Sequence, residues 1–85
     1  MIPETRQEIR RAVNEIKILR RNMFAIARFM QSEWSSLHLV SFLQLRDGLG
    51  DIVSLLDIRY KFVFDTLKEH NMEYMWRQVG IEIFS

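Results

Sequence analysis

The chain has 85 residues, with 12 basic and 11 acidic side chains, three glycines, one proline and no cysteine. This length allows one domain, and the absence of cysteine excludes disulfide scaffolds, cysteine-ligated zinc modules and thiol enzymes. Because 48% of the residues are apolar and the formal net charge is +1, the composition disfavours both a disordered chain and a protein that coats nucleic acid.

Neither a secretory signal nor a membrane span is indicated. The N-terminal residues are polar, and no charged segment followed by an apolar one is present there. The richest apolar run, residues 37–45, is far shorter than the roughly 20 residues that a span requires. We therefore expect a soluble, cytoplasmic protein with no membrane partner.

The first predicted helix covers residues 4–34. Thr5 and Glu8 have the spacing of a capping box, in which the hydroxyl and the carboxylate satisfy free N–H groups at a helix start. Apolar residues then recur in alternating steps of four and three, a heptad pattern that only position 20 interrupts. The residues of this seam are Ile9, Val13, Ile16, Met23, Ala27, Met30 and Trp34.

A second helix is predicted over residues 36–70. Ser35 and Ser36 interrupt the pattern, and either hydroxyl is suited to cap a new helix. Apolar residues then alternate at three and four from Phe42 to Leu67. This register continues unbroken through Gly48 and Gly50, although each glycine costs about 1 kcal/mol relative to alanine. A continuous helix is therefore favoured, with a break at the glycines as the alternative.

The C-terminal residues predict a short third helix and a tail. Asn71 tolerates the left-handed conformation that ends many helices. Residues 72–79 then suit one or two helical turns, Gly80 is expected to end them, and residues 80–85 form an apolar tail. The chain is thus predicted to be a single all-α domain over residues 1–85.

The apolar residues predict association. Two helices joined by a two-residue turn are antiparallel neighbours, but Ile18, Phe24 and Phe29 lie outside the seam, and the second helix is apolar on more than one face. A soluble monomer avoids so large an apolar patch. We therefore expect a homodimeric, four-helix-type bundle, with a compact three-helix monomer as the alternative.

A structural ion pair is predicted between Arg20 and Asp51. Arg20 occupies the seam, where a charge is costly unless it is paired. The hairpin register places Asp51 opposite it, just as it places Leu55 opposite Ile16. The alternative role of Arg20 is an anion or partner contact.

A basic stripe follows the first helix. Its members fall within an arc of about 60°, and residues 1–33 have a net charge of +3 against −2 for the remainder. The favoured interpretation is pairing with acidic residues of the second helix. The alternative is a site for nucleic acid or an anionic ligand. The stripe consists of Arg6, Arg10, Lys17, Arg21 and Arg28.

The C-terminal region is rich in methionine and aromatic residues, which are favoured at binding surfaces. The alternative role for these residues is to cap the end of the bundle. The predicted partner-binding residues are Met72, Tyr74, Met75, Trp76, Ile83 and Phe84.

No catalytic, metal-binding or cofactor-binding pattern is present. His38 and His70 have no metal-ligand spacing, and the segment from Gly48 to Gly50 lacks the further glycine of a phosphate-binding loop. We therefore expect a non-enzymatic protein-interaction module that acts as a homodimer and binds another protein. A nucleic-acid or anionic-ligand binder is the alternative.

Overall fold

The computed structural model describes residues 3–33 and 35–84. Helix α1 spans Pro3–Glu33, α2 spans Leu39–Glu69, a 3₁₀ turn spans Glu73–Met75, and α3 spans Trp76–Phe84. The two long helices pack against each other, and the described residues contain no strand. The all-α prediction of a long helical hairpin with a short C-terminal helix is confirmed.

The hairpin connection is longer than predicted. Its described part comprises residues 35–38, and α2 begins at Leu39 rather than at residue 36. The Ser36 hydroxyl donates to the Glu33 carbonyl at 3.1 Å and lies 3.1 Å from the Glu33 carboxylate. It therefore closes the end of α1 instead of capping α2. Trp34, the predicted last residue of helix 1, lies outside the described residues.

The Glu15–Arg59 contact differs from the simple hairpin register. Glu15 forms an ion pair with Arg59, whereas the predicted register places Leu56 opposite Glu15. The paired side chain thus lies three residues farther along α2 than predicted.

Gly48 and Gly50 leave α2 unbroken, as the hydrophobic register predicts. Neither has a positive φ, and a Cβ added at either would meet no atom within 4 Å. The two helices therefore do not approach each other closely at these glycines.

A Schellman motif reverses the chain after α2. Asn71 has a φ of 57°, which confirms the left-handed conformation predicted for it. Its N–H donates to the Lys68 carbonyl at 3.0 Å, and the N–H of Met72 donates to the Leu67 carbonyl at 2.8 Å. This turn directs the next segment back along the hairpin.

Helix α3 begins later and ends later than predicted. It starts at Trp76 and continues through Gly80 to Phe84, so the short C-terminal helix lies later than the predicted 72–79, and residues 80–84 are helical instead of a separate tail. The physical reason is packing, because Val79 and Ile83 are four residues apart and both are buried against the hairpin.

One core holds the three helices together at the end of the hairpin away from the connection. It contains residues of α1 near the N-terminus, of the second half of α2, and of α3. Its buried members are Ala12, Val13, Ile16, Leu56, Val63, Leu67, Val79 and Ile83. Met30 is buried nearer the connection, where α3 does not reach.

Candidate functional site

One cavity lies between α1, the end of α2 and α3. Its volume is about 350 Å³. It brings together residues from two predicted sets, Arg6 and Arg10 of the basic stripe with Met72 and Met75 of the partner-binding set. The lining residues are Arg6, Ile9, Arg10, Val13, Leu67, Met72, Met75, Gln78, Val79 and Glu82.

Arg20 is bound to the end of α3 and not to Asp51. Its Nη1 donates to the Ile83 carbonyl at 3.1 Å, and its guanidinium carbon lies 4.2 Å from the centre of the Phe84 ring and 5.3 Å from that of Phe24. The last carbonyls of a helix lack internal partners and carry partial negative charge. Arg20 therefore acts as a C-terminal cap for α3, and the predicted ion pair with Asp51 is not formed.

The rest of the basic stripe follows the same side of α1. Lys17 and Arg21 line a smaller cavity of about 180 Å³ together with Arg20, Phe24 and Ile83. In the described part of the chain the ion pairs are Glu15–Arg59 and Arg46–Asp47. The stripe therefore makes none of the expected pairs with acidic residues of α2. Its four arginines are exposed, whereas Lys17 is half-buried.

The predicted partner-binding residues are divided between core and surface. Ile83 is 4% exposed and belongs to the core, so it is not available to a partner. Trp76 is half-buried and makes T-shaped contacts with Phe64 and Tyr60, with ring centres 5.2 and 6.5 Å apart. These contacts show that part of the set serves to dock the C-terminal segment.

The other members differ in their exposure. Met72 and Met75 are partly buried against the core. Tyr74 is 75% exposed and Phe84 is 63% exposed. Of the predicted set, these two aromatic residues offer the largest accessible surface.

A second apolar surface lies on the other side of the α1–α2 seam. There a shallow groove is lined by Ile58 and Phe62 of α2 together with residues of α1, and none of its lining residues belongs to α3. Ile18 lines a neighbouring depression on α1, and helical periodicity places Phe29 with Ile18 and Leu55 with Ile58. We call this surface the open face and define it by Ile18, Phe29, Leu55, Ile58 and Phe62, all at least 40% exposed.

The open face was not among the predicted sites, although the sequence contains its signal. Ile18 and Phe29 fall outside the heptad seam, and Leu55, Ile58 and Phe62 follow a helical spacing of three and four. Those spacings indicate more apolar surface than one partner helix can cover. The sequence does not show which side of the hairpin stays uncovered, because that depends on the position of α3, which covers the opposite groove.

The described residues contain no group of three or more His, Cys, Asp or Glu side chains arranged to hold a metal ion. None of the described helices is long and apolar enough to cross a bilayer. No protein-family model matches the chain, and no curated protein or solved structure is significantly similar to it.

Proposed function

We propose that this chain is a non-enzymatic helical interaction module that works as a homodimer. In this proposal the open face of one copy packs against the open face of a second. The exposed Tyr74 and Phe84, on the other side of the hairpin, then remain available for another protein.

The observation that carries the proposal is the excess of exposed surface. A compact monomer of 10.3 kDa exposes about 5,400 Å², whereas this chain exposes 6585 Å². Its radius of gyration is 16.1 Å, against about 12 Å for a compact domain of this length. The surplus, about 1,200 Å², exceeds the roughly 800 Å² that each partner buries in a standard interface.

The apolar character of the exposed surface also supports a dimer. Among the described residues, thirteen large apolar side chains are exposed, whereas nine apolar residues, including the small Ala12, are buried. A dimer would cover part of this area without requiring any change in the hairpin.

Charge on the open face favours a second copy as the occupant. Glu15 and Arg59 form their ion pair beside Ile58, at side-chain exposures of 41% and 36%. Glu8 and Arg11 line the same groove. A two-fold axis places the same surface of both copies in contact, so acidic and basic groups that alternate on one face can meet their opposites on the other.

A matched pair of variants tests the dimer. Ile58 on the open face and Ile81 on α3 have the same side chain and nearly equal exposures of 56% and 54%. In the Ile58→Lys dimer, two like charges enter the interface and two isoleucines lose their burial. We expect the dimer dissociation constant to rise about a hundredfold, while Ile81→Lys leaves it unchanged.

Light scattering coupled to size-exclusion chromatography measures both variants, and circular dichroism checks that each retains its helix content. Equal dissociation constants for the two variants would exclude the open face as the interface. A wild-type mass of 10.3 kDa at every concentration would exclude the dimer itself.

A nucleic-acid binder is the second candidate, and the solvated stripe favours it. Neutralisation of phosphates by several cations makes affinity fall steeply with salt. The chain would therefore bind duplex DNA, single-stranded DNA or RNA at low salt, and its affinity would fall strongly as salt is added. Arg28→Gln would reduce the salt dependence of that affinity. Absence of binding at low salt would exclude this function.

A further inference from the structure

The cavity beneath α3 is an apolar chamber with a charged mouth. Val13, Leu67 and Val79 line it and are 2–6% exposed. Ile9, Met72 and Met75 are half-buried and complete the apolar wall. Its volume of about 350 Å³ lies in the range of natural small-molecule sites, about 300–1,000 Å³.

The charge at the mouth is net positive. Arg6 and Arg10 are exposed and one helical turn apart, and neither forms an ion pair with a described residue. Glu82 is the one acidic side chain among the described residues that line the cavity, and Gln78 contributes a neutral amide. Two guanidinium groups against one carboxylate favour an anionic head group.

We propose that this cavity binds a single-chain amphipathic anion, an alkyl carboxylate or alkyl phosphate. The alkyl chain lies among the apolar side chains, and the head group meets Arg6 and Arg10. Methionine side chains suit such a ligand, because they are unbranched and adapt to chains of different length. The site lies across the seam from the open face, so this proposal does not depend on dimerisation.

The two parts of the ligand contribute separately. Each buried methylene strengthens binding about fourfold, so decanoate should bind about fifteenfold more tightly than octanoate. The two arginines bind the head group through its negative charge, so decanol should bind more weakly than decanoate. A nonspecific apolar surface would not distinguish the acid from the alcohol in this way.

The experiment is calorimetric titration of the full chain with decanoate below its micelle concentration. Arg10→Gln should weaken binding about fivefold to tenfold. Arg28→Gln is the matched control, since it removes the same charge from the same stripe outside the cavity and should have no effect. Met75→Gln should flatten the dependence on chain length, because a polar group then faces the alkyl chain.

Two further measurements complete the test. Shifts of the Met72 and Met75 methyl signals in NMR spectra should saturate with one equivalent of decanoate. Vesicles of anionic phospholipid distinguish a free ligand from a membrane surface. Binding to vesicles without binding of free decanoate would overturn the proposal, as would equal affinities for decanoate and decanol or equal effects of Arg10→Gln and Arg28→Gln.

Discussion

Replacing Arg20 tests whether one guanidinium fixes the C-terminal helix. Arg20→Met keeps the apolar part of the side chain and removes the charged group, so it isolates the contacts to the Ile83 carbonyl and the Phe84 ring. A hydrogen bond from a charged group is worth about 1.5–3 kcal/mol, and a cation over an exposed ring adds about 0.5–1 kcal/mol. Because Arg20 is half-buried and Phe84 is exposed, we expect a combined loss of about 2 kcal/mol.

This loss should be concentrated in α3. If α3 detaches while the hairpin stays folded, amide exchange within α3 rises about thirtyfold, the equivalent of about 2 kcal/mol. Hydrogen exchange measured by mass spectrometry reads that change by segment, and urea unfolding gives the global free energy. Arg20→Lys should fall between the wild type and Arg20→Met, because an ammonium keeps the charge but lacks the planar stacking surface.

Asp51→Asn is the control that separates the helix cap from an ion pair. Asp51 is exposed and pairs with no described residue, so its replacement should change the free energy of unfolding by less than about 0.5 kcal/mol. An Asp51→Asn variant as unstable as Arg20→Met would refute the reasoning. So would an Arg20→Met variant whose α3 amides exchange at the wild-type rate.

Three further experiments test the interior of α2, the Glu15–Arg59 ion pair and the placement of α3. Gly48→Ala should raise the free energy of unfolding by about 0.5–1 kcal/mol, because the residue is helical and an added Cβ would meet open space. A lower free energy of unfolding in urea titrations would contradict that open environment. A double-mutant cycle on Glu15 and Arg59 should give a coupling free energy of about 0.5–1 kcal/mol that declines with salt, since both side chains are partly exposed. A coupling free energy that does not change with salt would argue against a solvent-screened pair. Ile83→Ala should lower the melting temperature through a loss of about 2–4 kcal/mol, whereas Tyr74→Ala should leave it nearly unchanged; a reversed order would contradict the placement of α3.

The long helices could be predicted from sequence because their apolar spacing is regular over many turns. The pattern of α1 runs from Ile9 to Met30, and that of α2 continues through Gly48 and Gly50 without a change of phase. A loop at the glycines would have reset that phase. The left-handed Asn71 was predictable as well, because few residues tolerate this conformation.

The C-terminal segment could not be predicted in the same way. Over four residues, the alternation from Ile81 to Phe84 resembles a strand, yet Val79 and Ile83 also have the spacing of one helix face. Tertiary packing decides between these patterns, because the groove between α1 and α2 buries that face. So short a segment does not contain enough residues to establish its own period.

The partner of Arg20 depends on the same long-range packing. The sequence shows that a charge in the seam needs a partner, and the nearest acid in a simple hairpin register is Asp51. The actual acceptor is a backbone carbonyl 63 residues away in the chain, which no side-chain pattern can indicate. The connection is also longer than the two-residue turn from which the Asp51 register was derived.

Sedimentation equilibrium of the unmodified chain, over a wide range of micromolar concentrations, directly measures whether two copies associate. The elongated shape and the exposed apolar residues of the open face predict a mass that approaches twice 10.3 kDa as the concentration rises. A mass that stays at that of a single chain throughout the range would contradict the proposed homodimer.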